Sequence, residues 1–377
     1  WVARMIISGY EYRNEMPFKN VYFTGIVRDQ LGRKMSKSLG NSPDPLDLIA
    51  KYGADGVRVG MLFCSPAGGD LLFDESLTEQ GRNFSSKIWN TFRLIKTWEV
   101  SDSIEQPEHS RLALDWFRSR LNQIVETLDE HFDKFRISDA LMTVYTAVRD
   151  DFSSWLLEMV KPAYQKPIDK KTFSEVVALF DEVLRLLHPF MPFISEEIWH
   201  LLEDRKEGES LMIESWPKGG AYDADLIASF DLIKEAVSGI RKVRVDNSIA
   251  NKDQMSLFVR PDESSYDAKF NPILFKMGNL SEIGLVDAEI KGAASFRVRA
   301  SEFYIPLEGK IDFQEELNKL NEELEYTRGF LKSVLKKLSN ERFVQNAPAQ
   351  VVEVENKKKA DAEAKIKVLE ERIKSFK

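Results

Sequence analysis

The chain has 377 residues, 43% of them hydrophobic, and a formal net charge of -8 at pH 7. That is enough apolar material for two or three cored domains, and too acidic a balance for a generic nucleic-acid coat, although a local basic surface can still bind RNA. The single cysteine, Cys64, excludes a disulfide framework and a Cys-based zinc site and points to a reducing, cytoplasmic setting. No apolar run reaches the length of a membrane span, and Trp1 opens no signal-peptide pattern.

In chain order, the first strong element is Val21-Tyr22-Phe23-Thr24-Gly25-Ile26-Val27, a β-branched and aromatic run that predicts a largely buried strand of the parallel kind. A loop follows, Gly32-Arg33-Lys34-Met35-Ser36-Lys37-Ser38-Leu39-Gly40-Asn41. Its glycines let backbone approach an anion closely, and Arg33, Lys34 and Lys37 supply point charges that suit a polyphosphate; Ser36 and Ser38 add hydroxyl donors. Asp44-Pro45-Leu46-Asp47 reads as a helix start with Asp44 as N-cap, and Gly53 as its stop. A second apolar segment covers 57–63. Strand, phosphate-type loop and helix together suggest one edge of a nucleotide-binding α/β layer.

The middle of the chain is helical by pattern. Over 78–98, 111–131, 137–164 and 173–202, apolar residues recur at three- and four-residue spacing, which predicts an antiparallel bundle. Ser138-Asp139 can cap the third helix, Pro162 or Pro167 helps to end it, and Pro189 and Pro192 predict a kink or break in the fourth. On the first of these helices Arg82, Asn83, Lys87, Asn90 and Arg93 offer donors at near-helical spacing, with Phe84 and Trp89 available to stack on an unpaired base. Taken alone, these residues favour the plainer reading of core aromatics beside a solvated face.

After Trp216-Pro217 and the Lys218-Gly219-Gly220 linker the pattern becomes α+β, with a helix over 224–243 and strands over 255–259, 283–286, 296–299 and 303–307. Arg241, Lys242 and Arg244 form a basic cluster that suits either a solvated helix end or contact with a phosphate backbone. From Gln314, Leu317, Leu320, Leu324, Thr327, Leu331, Val334 and Leu338 keep a heptad seam, with Ala362, Ile366, Leu369, Ile373 and Phe376 on the return. The expected form is an antiparallel coiled-coil hairpin whose turn, around Pro348, lies within 340–350. Lys332, Lys336, Lys337 and Arg342 gather towards that turn, and Lys357-Lys358-Lys359 lies on the return arm.

These residues carry a family resemblance. Residues 32–41 resemble the KMSKS signature loop of class I aminoacyl-tRNA synthetases, and Trp1-Val2-Ala3-Arg4-Met5-Ile6 is similar to the valyl branch. So are Ser65-Pro66-Ala67-Gly68-Gly69-Asp70, Arg82-Asn83-Phe84 and Lys87-Ile88-Trp89-Asn90. The stretch from Leu187-His188-Pro189 to Glu197-Ile198-Trp199 resembles the last helix of that branch's anticodon-binding bundle, and the terminal hairpin argues against isoleucyl or leucyl relatives. Thr24 stands where many relatives carry histidine. The family's His-x-Gly-His motif is absent, since the histidines are His109, His131, His188 and His200.

The resemblance implies a carboxyl-terminal portion of a valine-activating enzyme in four parts: a catalytic α/β piece over 1–70, an anticodon-binding bundle over 71–215, a small α+β junction over 216–312 and a coiled-coil arm over 313–377. It implies ATP with Mg2+, valine and tRNA(Val) as the whole enzyme's ligands, no zinc, no membrane, a monomer, and no activity of this portion alone. Lys34 and Lys37 would then be catalytic. RNA contact would fall to Arg82, Asn83, Lys87, Trp89, Asn90 and Arg93 on the bundle, Arg241, and Lys336, Lys337 and Arg342 on the arm. A non-catalytic helical scaffold is the alternative from another class.

Overall fold

The computed structural model describes residues 1–65, 68–262, 265–307, 313–339 and 349–375. The chain divides into two compact units, one of residues 1–237 and 262–280, the other of residues 238–261 and 281–377. Both are mainly helical with small sheets. Among the described residues no helix is long and apolar enough to cross a membrane.

The first unit opens with helix α1 (Val2–Arg13), none of whose side chains is buried. The strand expected over 21–27 is largely absent. Only β1 (Val27–Arg28) joins a ladder, running parallel to β2 (Leu71–Leu72) with Val27 opposite Leu71. Residues 21–26 are irregular and exposed, because β propensity alone makes no strand where no neighbour completes the ladder. Helix α2 (Pro45–Tyr52) starts where the sequence predicts, with the Asp44 carboxylate accepting from the Leu46 amide at 2.8 Å. Gly53 ends it, and α3 (Ala54–Phe63) follows directly.

Helix α3 lies against α4 (Glu75–Lys96) with backbones in contact. A Cβ on Gly60 would stand 2.6 Å from Thr78, and one on Gly81 only 2.4 Å from the Gly56 carbonyl oxygen. Short strand β3 (Val100–Ser101) leads to α5 (Glu108–Asp133) and α6 (Ile137–Thr146), which runs on through a π-helical stretch, Ala147–Leu156, into α7 (Leu157–Val160). This helix ends before Pro162, whose ring disfavours helical geometry at Lys161. Ser138 does not cap it: Arg136 holds the N-cap position, and the Ser138 hydroxyl instead donates to the Leu62 and Ser65 carbonyls within and just beyond the end of α3.

Strand β4 (Ile168–Asp169) pairs with β3 and precedes α8 (Lys170–Leu187) and α9 (Pro192–Leu202). The predicted break at Pro189 and Pro192 is present, and α3 satisfies its loose backbone groups. The Asp55 carboxylate accepts from the Phe193 and Ile194 amides at 3.3 and 2.7 Å, while Arg58 donates to the Pro189 and Phe190 carbonyls at 3.0 and 3.1 Å. The core among these helices is aromatic: Trp116 stacks on Phe230 at 4.6 Å, and Phe152 on Phe180 at 5.1 Å. Each fully buried ring contributes about 1.5–3 kcal/mol.

Helix α10 (Ala224–Asp246) precedes β5 (Met255–Arg260), α11 (Asn271–Gly278), β6 (Leu280–Leu285), β7 (Ala293–Val298) and β8 (Ser301–Pro306). The four strands form one sheet in the order β6-β5-β8-β7, with β8 antiparallel to both β5 and β7. All four lie where the sequence predicts, three of them beginning two or three residues early; α11 has no counterpart in the sequence reading. Strand β8 buries residues 301–305 on both faces, as a central strand must.

Helices α12 (Phe313–Leu338) and α13 (Ala349–Ser375) close the chain. Leu324, Thr327 and Val334 are buried on one, Ala362 and Leu369 on the other, and Ile366 packs with Leu324 and Leu369. Lys337 approaches Glu355 at 3.8 Å, while Glu323 meets Lys365 at 2.7 Å, so the two helices run antiparallel. The described part of the predicted seam is therefore present. The 340–348 segment and the side chains of Leu317, Leu320, Ile373 and Phe376 lie outside the described residues.

Candidate nucleotide loop and nucleic-acid interface

Strand β1 leads directly into the signature loop, and Asp29 organises it. Its carboxylate accepts from the Leu31 amide at 3.1 Å, the Arg33 amide at 2.9 Å, Arg33 Nε at 2.8 Å and Asn41 Nδ2 at 3.0 Å. The hydrogen bond from Asn41, then that from Arg33, holds this carboxyl well below the usual carboxylate range. Asn41 returns through Oδ1 to the Ser36 amide at 2.9 Å, so the two ends of the loop are tied to one another. The Met35 amide donates to the Val27 carbonyl at 3.2 Å. Gly32 and Gly40, at φ 76° and 64°, take the left-handed turns that a side chain resists.

The charges of the loop sort into two groups. Arg33 pairs with Asp29 at 2.7 Å, and Arg28 pairs with Asp70 while donating to the Gly32 carbonyl at 3.2 Å. Arg33 is thus a strut and not the third phosphate-facing charge that the sequence suggests. Lys34 and Lys37 are exposed, and neither meets a carboxylate among the described residues. Ser36 accepts from the Leu39 amide at 3.3 Å, and its hydroxyl lies 3.1 Å from that of Ser38. A fixed turn presenting two unpaired ammonium groups suits a polyanion.

On α4, Asn83 and Lys87 line a groove of about 550 Å³ together with Gln80, Tyr145, Arg149 and Ser154. The Arg149 guanidinium lies 5.6 Å from the Tyr145 ring centre. Phe84 is buried with its ring 4.6 Å from that of Tyr145, so it is a core residue and not a stacking platform. Trp89 is half-buried against Phe92 at 5.5 Å. Asn90 and Arg93 are exposed on the same helix outside the groove lining, and Arg82 is held by Glu79 at 3.1 Å.

The remaining basic positions belong to the second unit. Arg241 is exposed, whereas Arg244 is buried and donates to the Ala250 carbonyl at 2.8 Å, which makes it part of the helix end's own structure. Lys336 and Lys337 are exposed on α12. Arg342 lies outside the described residues.

Two groups of site residues escape a sequence reading. Asp29 and Asn41 carry no charge pattern of their own; only the Asp29-x-x-Gly32 spacing, a turn signal, marks the first. Arg149 reaches the groove from the π-helical stretch, whose wider turn shifts side chains off the ordinary helical spacing.

Three family descriptions match successive parts of the chain: tRNA synthetases class I (I, L, M and V) over residues 1–74, anticodon-binding domain of tRNA ligase over 115–259, and valyl tRNA synthetase tRNA binding arm over 312–377. Loop, helical layer and helix pair thus define a class I tRNA synthetase portion. The valine–tRNA ligase of Parabacteroides distasonis is 56% identical over 373 residues, which cover 99% of this chain and 42% of that protein. That of Christiangramia forsetii is 54% identical, covering 100% and 43%, and that of Fusobacterium nucleatum 37%, covering 100% and 44%. Within class I the chain belongs to the valine–tRNA ligase family, as a carboxyl-terminal portion spanning less than half the length of these curated relatives.

Proposed function

We propose that this chain supplies the polyphosphate-facing loop and the tRNA-holding surfaces of a valine–tRNA ligase. Residues 1–70 serve as the end of the catalytic layer, 71–215 as the anticodon-binding bundle, 216–312 as a junction and 313–377 as a coiled-coil arm. The whole enzyme joins valine to ATP, which enters with Mg2+, and passes the valyl group to tRNA(Val). Lys34 and Lys37 hold the negative charge that gathers on the triphosphate as pyrophosphate leaves, with Lys37 the principal group. Ser36 and Ser38 shape the turn that aims them. Groove residues Asn83, Lys87 and Arg149, with Arg82, Trp89, Asn90 and Arg93 beside them, face the anticodon side of the tRNA. Arg241, Lys336, Lys337 and Arg342 meet its backbone. The enzyme works as a cytoplasmic monomer, and this portion by itself does not aminoacylate.

The observation that carries this reading is the sorting of charge in the loop, which neutralises Arg28, Asp29, Arg33 and Asp70 among themselves and leaves Lys34 and Lys37 unspent among the described residues. A salt-titrated binding isotherm of the chain with tRNA(Val) and with a non-cognate tRNA tests it. Cognate preference with a steep salt dependence is expected. Equal or absent binding would leave the scaffold alternative standing.

A further inference from the structure

Helix α11 packs on α5 and α7 through its buried Ile273 and Leu274, and it carries one charged residue, Lys276. That side chain is half-buried. Its Nζ donates to the Lys161 carbonyl at 2.9 Å and makes no ion pair among the described residues. An ammonium drawn out of water without a counter-ion is costly, and the group sheds its proton more readily instead.

The charges around it act in the same direction. Lys161, just past α7, pairs with Glu158 at 2.6 Å. Asp169 on β4 turns its carboxylate to the Thr172 amide at 2.7 Å, and Lys269, ahead of α11, is taken up by Asp267 at 2.8 Å. Burial first, and then the Lys161 ammonium, holds the Lys276 amine below the ordinary lysine range against the pull of Glu158. Burial and then Lys276 lower His109 of α5 in turn, so that its imidazole is neutral at pH 7.

A neutral amine has a lone pair to offer and is a nucleophile. Lys276 and His109 line a cavity of about 160 Å³ whose other walls include Ile104, Pro107, Pro162, Pro167 and Ile168. Three proline rings and two isoleucines suit a short alkyl group better than a hydrated anion. The Lys161 side chain, 42% exposed, places a cation beside the cavity and favours a donor whose leaving group is anionic.

We propose that Lys276 is an acylation site, which takes a small acyl group from an acyl phosphate. The amine nitrogen attacks the acyl carbon, so that a new C–N bond replaces the acyl C–O bond. Phosphate departs with the electron pair of that bond, and the extra proton on nitrogen passes to solvent. The product amide keeps one N–H, enough for the Lys161 carbonyl, and buries no charge. The site shares no residue with the signature loop or the α4 groove, and the inference does not rest on the tRNA-binding reading.

The test treats the folded chain with acetyl phosphate at low conversion and follows acetylation of each lysine by peptide mass spectrometry. Lys87 and Lys242, both exposed, are the comparators. At pH 7 Lys276 is expected to acetylate at least about threefold faster than either. Its rate should level off at a lower pH than theirs, and the difference should vanish in urea that unfolds the chain. A rate at Lys276 no greater than that of the comparators overturns the proposal. So does an advantage that survives unfolding, because it would come from local sequence and not from the cavity.

Discussion

A carboxylate that accepts four hydrogen bonds from three residues locks the backbone around it, and Asp29 does this for the signature loop. A carboxyl whose folded pKa is depressed contributes stability fully above its unfolded value, about 4, and loses that contribution only as pH falls through the folded one. Asp29 is therefore expected to stay ionised while exposed carboxylates protonate. A carbon-detected NMR titration from about pH 6 to about pH 3 should show no Asp29 midpoint, and Asn41→Ala should move one into that window. A midpoint near the ordinary value in the unaltered chain would mean that the loop is not held this way. Lys37 is the complementary case. In an enzyme of the relatives' full length, Lys37→Ala is expected to lower adenylate formation by about 10² while tRNA affinity barely changes. Pyrophosphate exchange that survived the change would remove Lys37 from the catalytic assignment. The sequence alone pointed to both lysines, because adjacent glycines and serines mark an anion loop. It also miscounted Arg33 as a third phosphate ligand, since the turn that folds Arg33 back onto Asp29 is visible only in three dimensions.

Helix starts and stops were legible wherever one residue's chemistry decides them, as at Asp44 and Pro45, at Gly53, and at the Pro189 to Pro192 break. The seam of α12 and α13 was legible because a heptad is periodic. Residues 21–26 were misread because strand formation depends on a neighbour that propensity cannot supply. The π-helical stretch left no trace because its apolar spacing still resembles a helix. The close approach of α3 to α4 likewise hides in unremarked glycines, and it offers a test at this scale. Gly81→Ala places a Cβ 2.4 Å from the Gly56 carbonyl oxygen, where only backbone can yield. A loss of about 1–3 kcal/mol is expected from thermal or urea unfolding. Gly329→Ala is the control: it sits in α12 with nothing within 4 Å of the added carbon, and there alanine should stabilise by up to about 1 kcal/mol. Equal effects at both sites would mean that the backbones of α3 and α4 do not touch.

At the scale of the molecule, an acidic chain must bind a polyanion through local surfaces, and each such surface should report separately in the salt dependence. Lys336 is exposed on α12, and Lys337 is only loosely engaged, 3.8 Å from Glu355, which Lys358 holds more closely at 2.8 Å. Both lysines are therefore available to phosphates at little cost. For the double variant Lys336→Ala with Lys337→Ala, the slope of log affinity against log salt is expected to flatten by about 1 for each phosphate that a lysine no longer neutralises. Cognate and non-cognate tRNA should weaken together, because charges on phosphates position a nucleic acid without reading its sequence. A groove substitution such as Asn83→Ala should act the other way, reducing the preference for tRNA(Val) with little change in slope, since an amide carries no counterion-releasing charge. An unchanged slope in the lysine variant would show that the charges of the helix pair serve solubility, and would leave the α4 groove as the surface on which tRNA binding rests.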